Sequence, residues 1–130
     1  MASRSLDDLR PEFLARVTLW LDKCKVAGID VLVYCTLRDM KEQADLYAIG
    51  RTRPGKKVTN ARPGSSAHNF GLALDFVPML NGKAQWLNKT LYGQAIDLAE
   101  ACDLQSLRDS SFPETAHLQM PGWRGHVPTN

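Results

Sequence analysis

The sequence predicts an α+β fold, a small and mostly antiparallel sheet packed with about three helices. Three stretches carry apolar residues at helical spacing, and several short runs are rich in β-branched and aromatic residues. Their order, α-β-α-loop-β-β-α-β, lacks the regular βαβ alternation of a parallel sheet. The 130 residues suit one domain spanning 1–130, and 44% hydrophobic with 23% charged residues excludes a disordered or low-complexity chain.

Residues 5–27 form the first helical stretch, with Leu6, Leu9, Phe13, Val17, Trp20 and Cys24 on one face. Ser5 and Asp8 resemble a capping box that would start it early. Pro11 either kinks such a helix or marks a later start, with proline in the first turn. Gly28 ends it. Residues 29–36 (IDVLVYCT) read as a short strand buried on both faces. Residues 39–49 read as a second helix opened by Asp39 and Glu42, with Met40, Ala44 and Tyr47 on one face.

Residues 50–67 hold three Gly, two Pro and no apolar periodicity, a long loop of the kind that carries function. Residues 72–79 read as a strand, Asn81-Gly82 as a type I′ turn, and residues 83–86 as the returning strand. Pro78 points to an edge or a strand end. Residues 87–102 form the third helix, with Leu87, Leu91, Ala95, Leu98 and Cys102 at its spacing. Residues 103–113 are ambiguous, 115–119 suit a short strand, and the tail with its Pro and Gly reads as irregular.

Several function classes drop out early. No apolar run approaches the roughly 20 residues of a membrane helix, and the first residues lack a signal-like apolar core. The expectation is a soluble monomer made in the cytoplasm, with no stable membrane association. A net charge of +2 is too small to imply nucleic acid. Arg51, Arg53, Lys56, Lys57 and Arg62 make a basic loop without interleaved aromatics, either a solvated turn or a surface for an acidic substrate. Residues 50–57 nearly match a phosphate-binding loop. Lys57 stands where a hydroxyl must hold Mg²⁺, and the segment follows a predicted helix instead of a strand, so that reading is rejected. Cys24, Cys35 and Cys102 are odd in number and widely spaced, which suits reduced core thiols.

The remaining chemistry gathers at His68, Asp75, Glu114 and His117. Two imidazoles and a carboxylate are a plausible zinc set, with the fourth position kept for water. On a regular strand, positions 68 and 75 face opposite ways, so a bend is needed, and Gly71 permits one. Asp75 sits inside the apolar run Leu72 to Val77 and needs a partner there. Glu114, three residues before His117, could act as a general base. Spacing alone leaves the bland alternatives open: a capped loop histidine with a nearby acid, or an ordinary E-x-x-H surface pair.

Residues 66–78, SAHNFGLALDFVP, resemble the S-x-H-x-x-G-x-A-x-D signature of zinc peptidases that cut peptidoglycan stem peptides. That family includes D-alanyl-D-alanine carboxypeptidases, vancomycin-resistance dipeptidases and phage L-alanyl-D-glutamate endopeptidases. The phage endolysin branch is the most similar. Its R-x-x-x-x-Q-x-x-L-Y-x-x-G-R-T-x-P-G stretch is matched by Arg38, Gln43, Leu46, Tyr47, Gly50, Arg51, Thr52, Pro54 and Gly55. The resemblance runs from Thr36 to Gln119. It implies a hedgehog/DD-peptidase-like fold with an open Zn²⁺ site held by His68, Asp75 and His117. It further implies Glu114 as catalytic acid/base, Arg38 as catalytic and substrate-binding, and Ser66 and Gln43 on the substrate side.

Many relatives carry Asp where this chain has Glu114, and Phe where it has Leu118. A Gly-Asp-Trp-like element is replaced by Cys102-Asp103-Leu104-Gln105. The resemblance also implies peptidoglycan as partner and host lysis after release by a separate permeabilising protein, and the one-domain length leads to the expectation of no separate wall-binding domain. Two alternatives stand beside the endopeptidase: a D,D-carboxypeptidase or dipeptidase with the same site, and a non-catalytic zinc-bearing binding module. His126 is expected in solvent, since a fourth protein ligand would close the catalytic position.

Overall fold

The computed structural model describes residues 2–109 and 114–127, and only the backbone of Glu114 and Thr115. Its elements are α1 (Pro11–Val26), β1 (Asp30–Cys35), α2 (Met40–Ala48), β2 (Ala73–Leu80), β3 (Lys83–Ala84), α3 (Lys89–Ala101), β4 (Gln105–Leu107) and β5 (Glu114–Gln119). The strands make one sheet in the order β1-β2-β5-β4, with β3 also paired to β2, and every pairing is antiparallel. Three helices and a small antiparallel sheet are the α+β class expected.

Helix α1 begins at Pro11, the later of the two starts left open, because proline at the first helical position loses no intrahelical bond. Ser5 instead caps a separate 3-10 turn, Leu6–Asp8, by accepting from the Asp7 N–H. Phe13, Val17, Trp20 and Cys24 bury one stripe of α1 as the spacing required. The Trp20 ring stands edge-on to Phe76 of β2 at 5.0 Å, and its indole N–H donates to the Ala95 carbonyl of α3. One aromatic pair and one hydrogen bond thus tie α1 to both the sheet and α3.

Helix α3 starts two residues later than expected. The Asn88 side chain caps it by accepting from the Leu91 N–H, leaving Leu87 outside the helix and 95% exposed. Its deepest stripe is therefore Tyr92, Ala95, Ile96 and Ala99, rotated from the expected face. Strand β1 was expected to be buried on both faces, but it is a sheet edge, with Asp30 and Leu32 exposed. An uninterrupted apolar run does not distinguish an edge from a centre.

Helix α2 departs furthest. Asp39 caps it as expected, accepting from the Glu42 N–H at 2.7 Å. Met40 and Ala44, expected on its inner face, are exposed, and the buried residue is Gln43. The inner side of α2 meets polar groups rather than the core.

The Asn81-Gly82 turn has positive φ at both residues, as a type I′ hairpin needs. The returning strand is only Lys83–Ala84. Strand β5 starts at Glu114, one residue early, and β4 fills part of the ambiguous stretch. The tail is less irregular than expected: Trp123–His126 is a 3-10 turn with Trp123 buried. All three cysteines are free and buried. No helix among the described residues is long and apolar enough to cross a membrane.

Candidate active site

Asp75 is the third residue of β2. Its register partners are Cys35 on β1 and His117 on β5. Residues directly opposite in antiparallel strands share a face, so these three stand in a row across the sheet. Phe76, one residue on, points the other way into the core, where it meets Trp20 and Tyr92.

His68 reaches the row from a 3-10 turn, Ala67–Phe70. Ser66 caps that turn, its hydroxyl accepting from the His68 N–H. Gly71 closes the turn at φ +70°, where a Cβ would lie 2.7 Å from the Asp8 carbonyl oxygen. This is the bend that brings positions 68 and 75 together, and only glycine fits it. Two further bonds fix the turn beside Arg38. The Arg38 N–H donates to the His68 carbonyl, and the Asn69 amide donates to the Arg38 carbonyl.

The hydrogen-bond geometry distinguishes the two sides of each imidazole. His68 Nδ1 lies 3.0 Å from the Thr36 carbonyl oxygen, which only accepts, so Nδ1 carries the proton. Its Nε2 then turns a lone pair toward Asp75 Oδ1 at 3.1 Å. His117 repeats the pattern. Its Nε2 lies 2.8 Å from Gln119 Oε1, and its Nδ1 lies 3.4 Å from the same Asp75 oxygen. Two lone pairs and a carboxylate oxygen converge, an arrangement that calls for a shared cation. Two imidazole nitrogens and one carboxylate oxygen suit Zn²⁺, and outer N–H bonds of this kind orient metal-binding histidines.

Burial would push the Asp75 carboxyl up. The neighbouring His117 and His68 rings overturn this and hold it well below the usual carboxylate range. Arg38 adds a further positive charge, with Nη2 3.5 Å from Asp75 Oδ2.

Cys35, read from the sequence as a core thiol, belongs to this cluster. Its donor atom and those of His68 and Asp75 all lie within 4.8 Å of one another. Its sulfur sits 3.8 Å from His68 Nδ1, the nitrogen already committed to Thr36. Burial, and then the Asp75 charge, push the thiol up to about 11. In the metal-free protein this favours the neutral thiol, which lies beside the His68 ring. No sequence signal marked it, because its place depends on a strand register that shifts between Val33 and Cys35.

The row opens into a cleft of about 370 Å³ lined in part by Arg38, Ser66, His68, Asp75 and His117, and also by Gln119, Trp123 and Arg124. Gln119 was missed, although its offset of two from His117 on a strand predicts a shared face. Gln43, expected on the substrate side, is fully buried behind Arg38 and is not among the residues that line the cleft. Its carbonyl accepts from Arg38 Nη1 at 3.0 Å and its amide donates to the Ala61 carbonyl at 2.7 Å. It holds Arg38 and the following loop in place. Glu114 opens β5 opposite Leu107, and its side chain lies outside the described residues. His126 lies away from the row, with Nδ1 3.7 Å from Glu12 on α1.

The basic loop is partly self-satisfied. Arg51 lies over the Tyr47 ring at 3.8 Å and donates to the Tyr47 and Thr59 carbonyls, while Arg62 donates to the Tyr47 hydroxyl. Gly50 (φ +81°) lets the loop close, since a Cβ there would lie 2.7 Å from the Lys57 nitrogen. That leaves fewer free cations than the sequence suggests.

Comparison with known proteins places this geometry. The chain is 35% identical over 109 residues to the peptidoglycan L-alanyl-D-glutamate endopeptidase CwlK of Bacillus subtilis, covering 72% of this chain and 62% of that protein. The chain thus spans under two thirds of that relative's length. The L-Ala D-Glu endopeptidase ChiX of Serratia marcescens superposes with a TM-score of 0.69 at 19% identity, over 92% of this chain and 88% of that one. A VanY D,D-pentapeptidase variant in complex with Zn(II) superposes at 0.68 with 15% identity, over 89% and 74%. At these identities the two structures show a shared fold. The family model described as VanY, D-alanyl-D-alanine carboxypeptidase, matches residues 7–120. With nearly the whole chain matched, the protein belongs to the VanY D-alanyl-D-alanine carboxypeptidase family.

Proposed function

We propose that this chain is a zinc-dependent peptidase that hydrolyses a peptide bond in peptidoglycan stem peptides, with the L-alanyl–D-glutamate bond as its target. The observation that carries the reading is the convergence of two imidazole lone pairs on one Asp75 oxygen at the floor of an open cleft. The similarity to CwlK supports the choice of bond. His68, Asp75 and His117 would hold the metal. When bound, zinc polarises a carbonyl and lowers the pKa of a coordinated water to about 7.

The chain's own groups do the rest. Glu114 takes the proton of the attacking water and returns it to the leaving amine, a role worth roughly 10²–10⁴-fold. Arg38, held by Gln43 and Asp75, presents positive charge to the oxyanion that develops on the carbonyl. Ser66 keeps His68 in place by capping its turn. The biological setting we propose is host-cell lysis by a phage endolysin, released to the wall by a separate permeabilising protein.

Digestion of purified muropeptides, read by mass spectrometry with and without a chelator, tests the reading. The expected result is chelator-sensitive release between L-Ala and D-Glu, restored by zinc. Loss of terminal D-Ala instead would select a D,D-carboxypeptidase, as the family's description suggests. Absence of any chelator-sensitive product would overturn the peptidase.

A further inference from the structure

Two cations line the cleft, Arg38 and Arg124. Arg38 is committed within the protein, with Nη1 donating to Gln43 and Nη2 facing Asp75. Arg124 is not. Its side chain makes no hydrogen bond or ion pair among the described residues, and its guanidinium carbon lies 4.5 Å from the centre of the Trp123 ring. Trp123 is itself buried and stacks on Phe70 at 5.8 Å with 26° between the ring planes. Phe70 ends the 3-10 turn that carries His68. One stack of three side chains therefore ties the Arg124 cation to the turn that presents the first imidazole. A guanidinium lying over an aromatic face keeps its in-plane N–H groups free, and their fork matches a carboxylate.

We propose that Arg124 is a specificity residue that binds a free carboxylate of the peptide substrate, with Trp123 as its platform. The inference rests on the peptidase reading and deepens it by naming what the substrate must carry. Stem peptides hold such a group beside the proposed bond, because D-Glu continues the chain through its side-chain carboxyl and leaves its α-carboxylate free. A charge-assisted contact of this kind supports discrimination on the order of 10–100-fold between the carboxylate and its neutral amide.

The test uses two synthetic stem peptides that differ only in a carboxylate or a carboxamide at the D-Glu α position. Wild type, Arg124→Gln and Arg124→Lys are compared with zinc content measured alongside. Wild type is expected to favour the carboxylate peptide by roughly 10-fold or more in kcat/KM, mainly through KM. Arg124→Gln removes that preference by slowing only the carboxylate peptide, Arg124→Lys keeps part of it, and zinc content stays unchanged. Equal cleavage of both peptides by wild type overturns the proposal without any variant. An equal loss on both peptides in Arg124→Gln also overturns it. Cleavage of neither peptide by wild type removes the peptidase reading, and this inference with it.

Discussion

On one face of β2, Phe76 meets Trp20 at 5.0 Å and Tyr92 at 5.4 Å, in a core where all three rings are buried. On the other face, one residue earlier, Asp75 gathers His68, His117, Arg38 and Cys35. The same strand, with the same alternation, builds stability on one side and reactivity on the other. The apolar side is favourable because contact area leaves water. The polar side places a carboxylate where desolvation is costly, and this is offset by the two neighbouring imidazoles and the positive charge of Arg38. A cation bound there would stabilise only the folded chain. Function at this site therefore depends on the other face to hold the fold.

Separating the two faces by mutation gives the largest effects. His68→Ala should lower turnover by at least about 10³-fold, a small part of what enzymes supply, and should lower the thermal midpoint of the metal-free protein without abolishing its cooperative melt, because Asp75 and the Thr36 carbonyl lose a buried partner. Parallel rate and melting measurements would show this, and an unfolded variant would break the division between faces. Phe76→Ala should do the reverse. It should cost about 3–5 kcal/mol by denaturant titration while the remaining folded protein still binds stoichiometric metal. Glu114→Ala should keep its metal and lose at least about 10²-fold in kcat, and near-normal cleavage would remove Glu114 from the mechanism.

Smaller effects sharpen the contrast. Gln119→Ala removes the carbonyl that faces His117 Nε2 and should weaken zinc binding by roughly 10–100-fold in a competition titration with a chelator. Cys24, on the core side, is pushed up to about 11 by burial and then by the Cys102 charge. The folded chain thus favours the neutral thiol. Its contribution is complete below the unfolded thiol's value, about 8.5, and is lost as pH rises toward 11. The difference in thermal midpoint between wild type and Cys24→Ala should shrink over that range.

Much of the apolar face was legible in the sequence. The α1 stripe from Phe13 to Cys24 follows from spacing alone, because a helix carries its periodicity in its own residues. The bend at Gly71 was legible too, since it is the residue between His68 and Asp75 able to adopt the required φ. What escaped was set by partners distant in sequence. Cys35 joins the polar cluster through a β1–β2 register with a bulge. Gln43 is buried because Arg38 and the Ala61 carbonyl meet it, and neither signals its demand locally. The edge position of β1 depends on strand order, and Trp123 is buried because Phe70 awaits it.

The central claim is that His68, Asp75 and His117 hold a zinc ion while Cys35 only backs the site. Native mass spectrometry of purified wild type, Cys35→Ala and His117→Ala tests it directly. The account predicts one zinc per chain in wild type, retained in Cys35→Ala and lost in His117→Ala. Zinc that survives in His117→Ala and disappears in Cys35→Ala would contradict it and assign the metal to the Cys35, His68 and Asp75 trio.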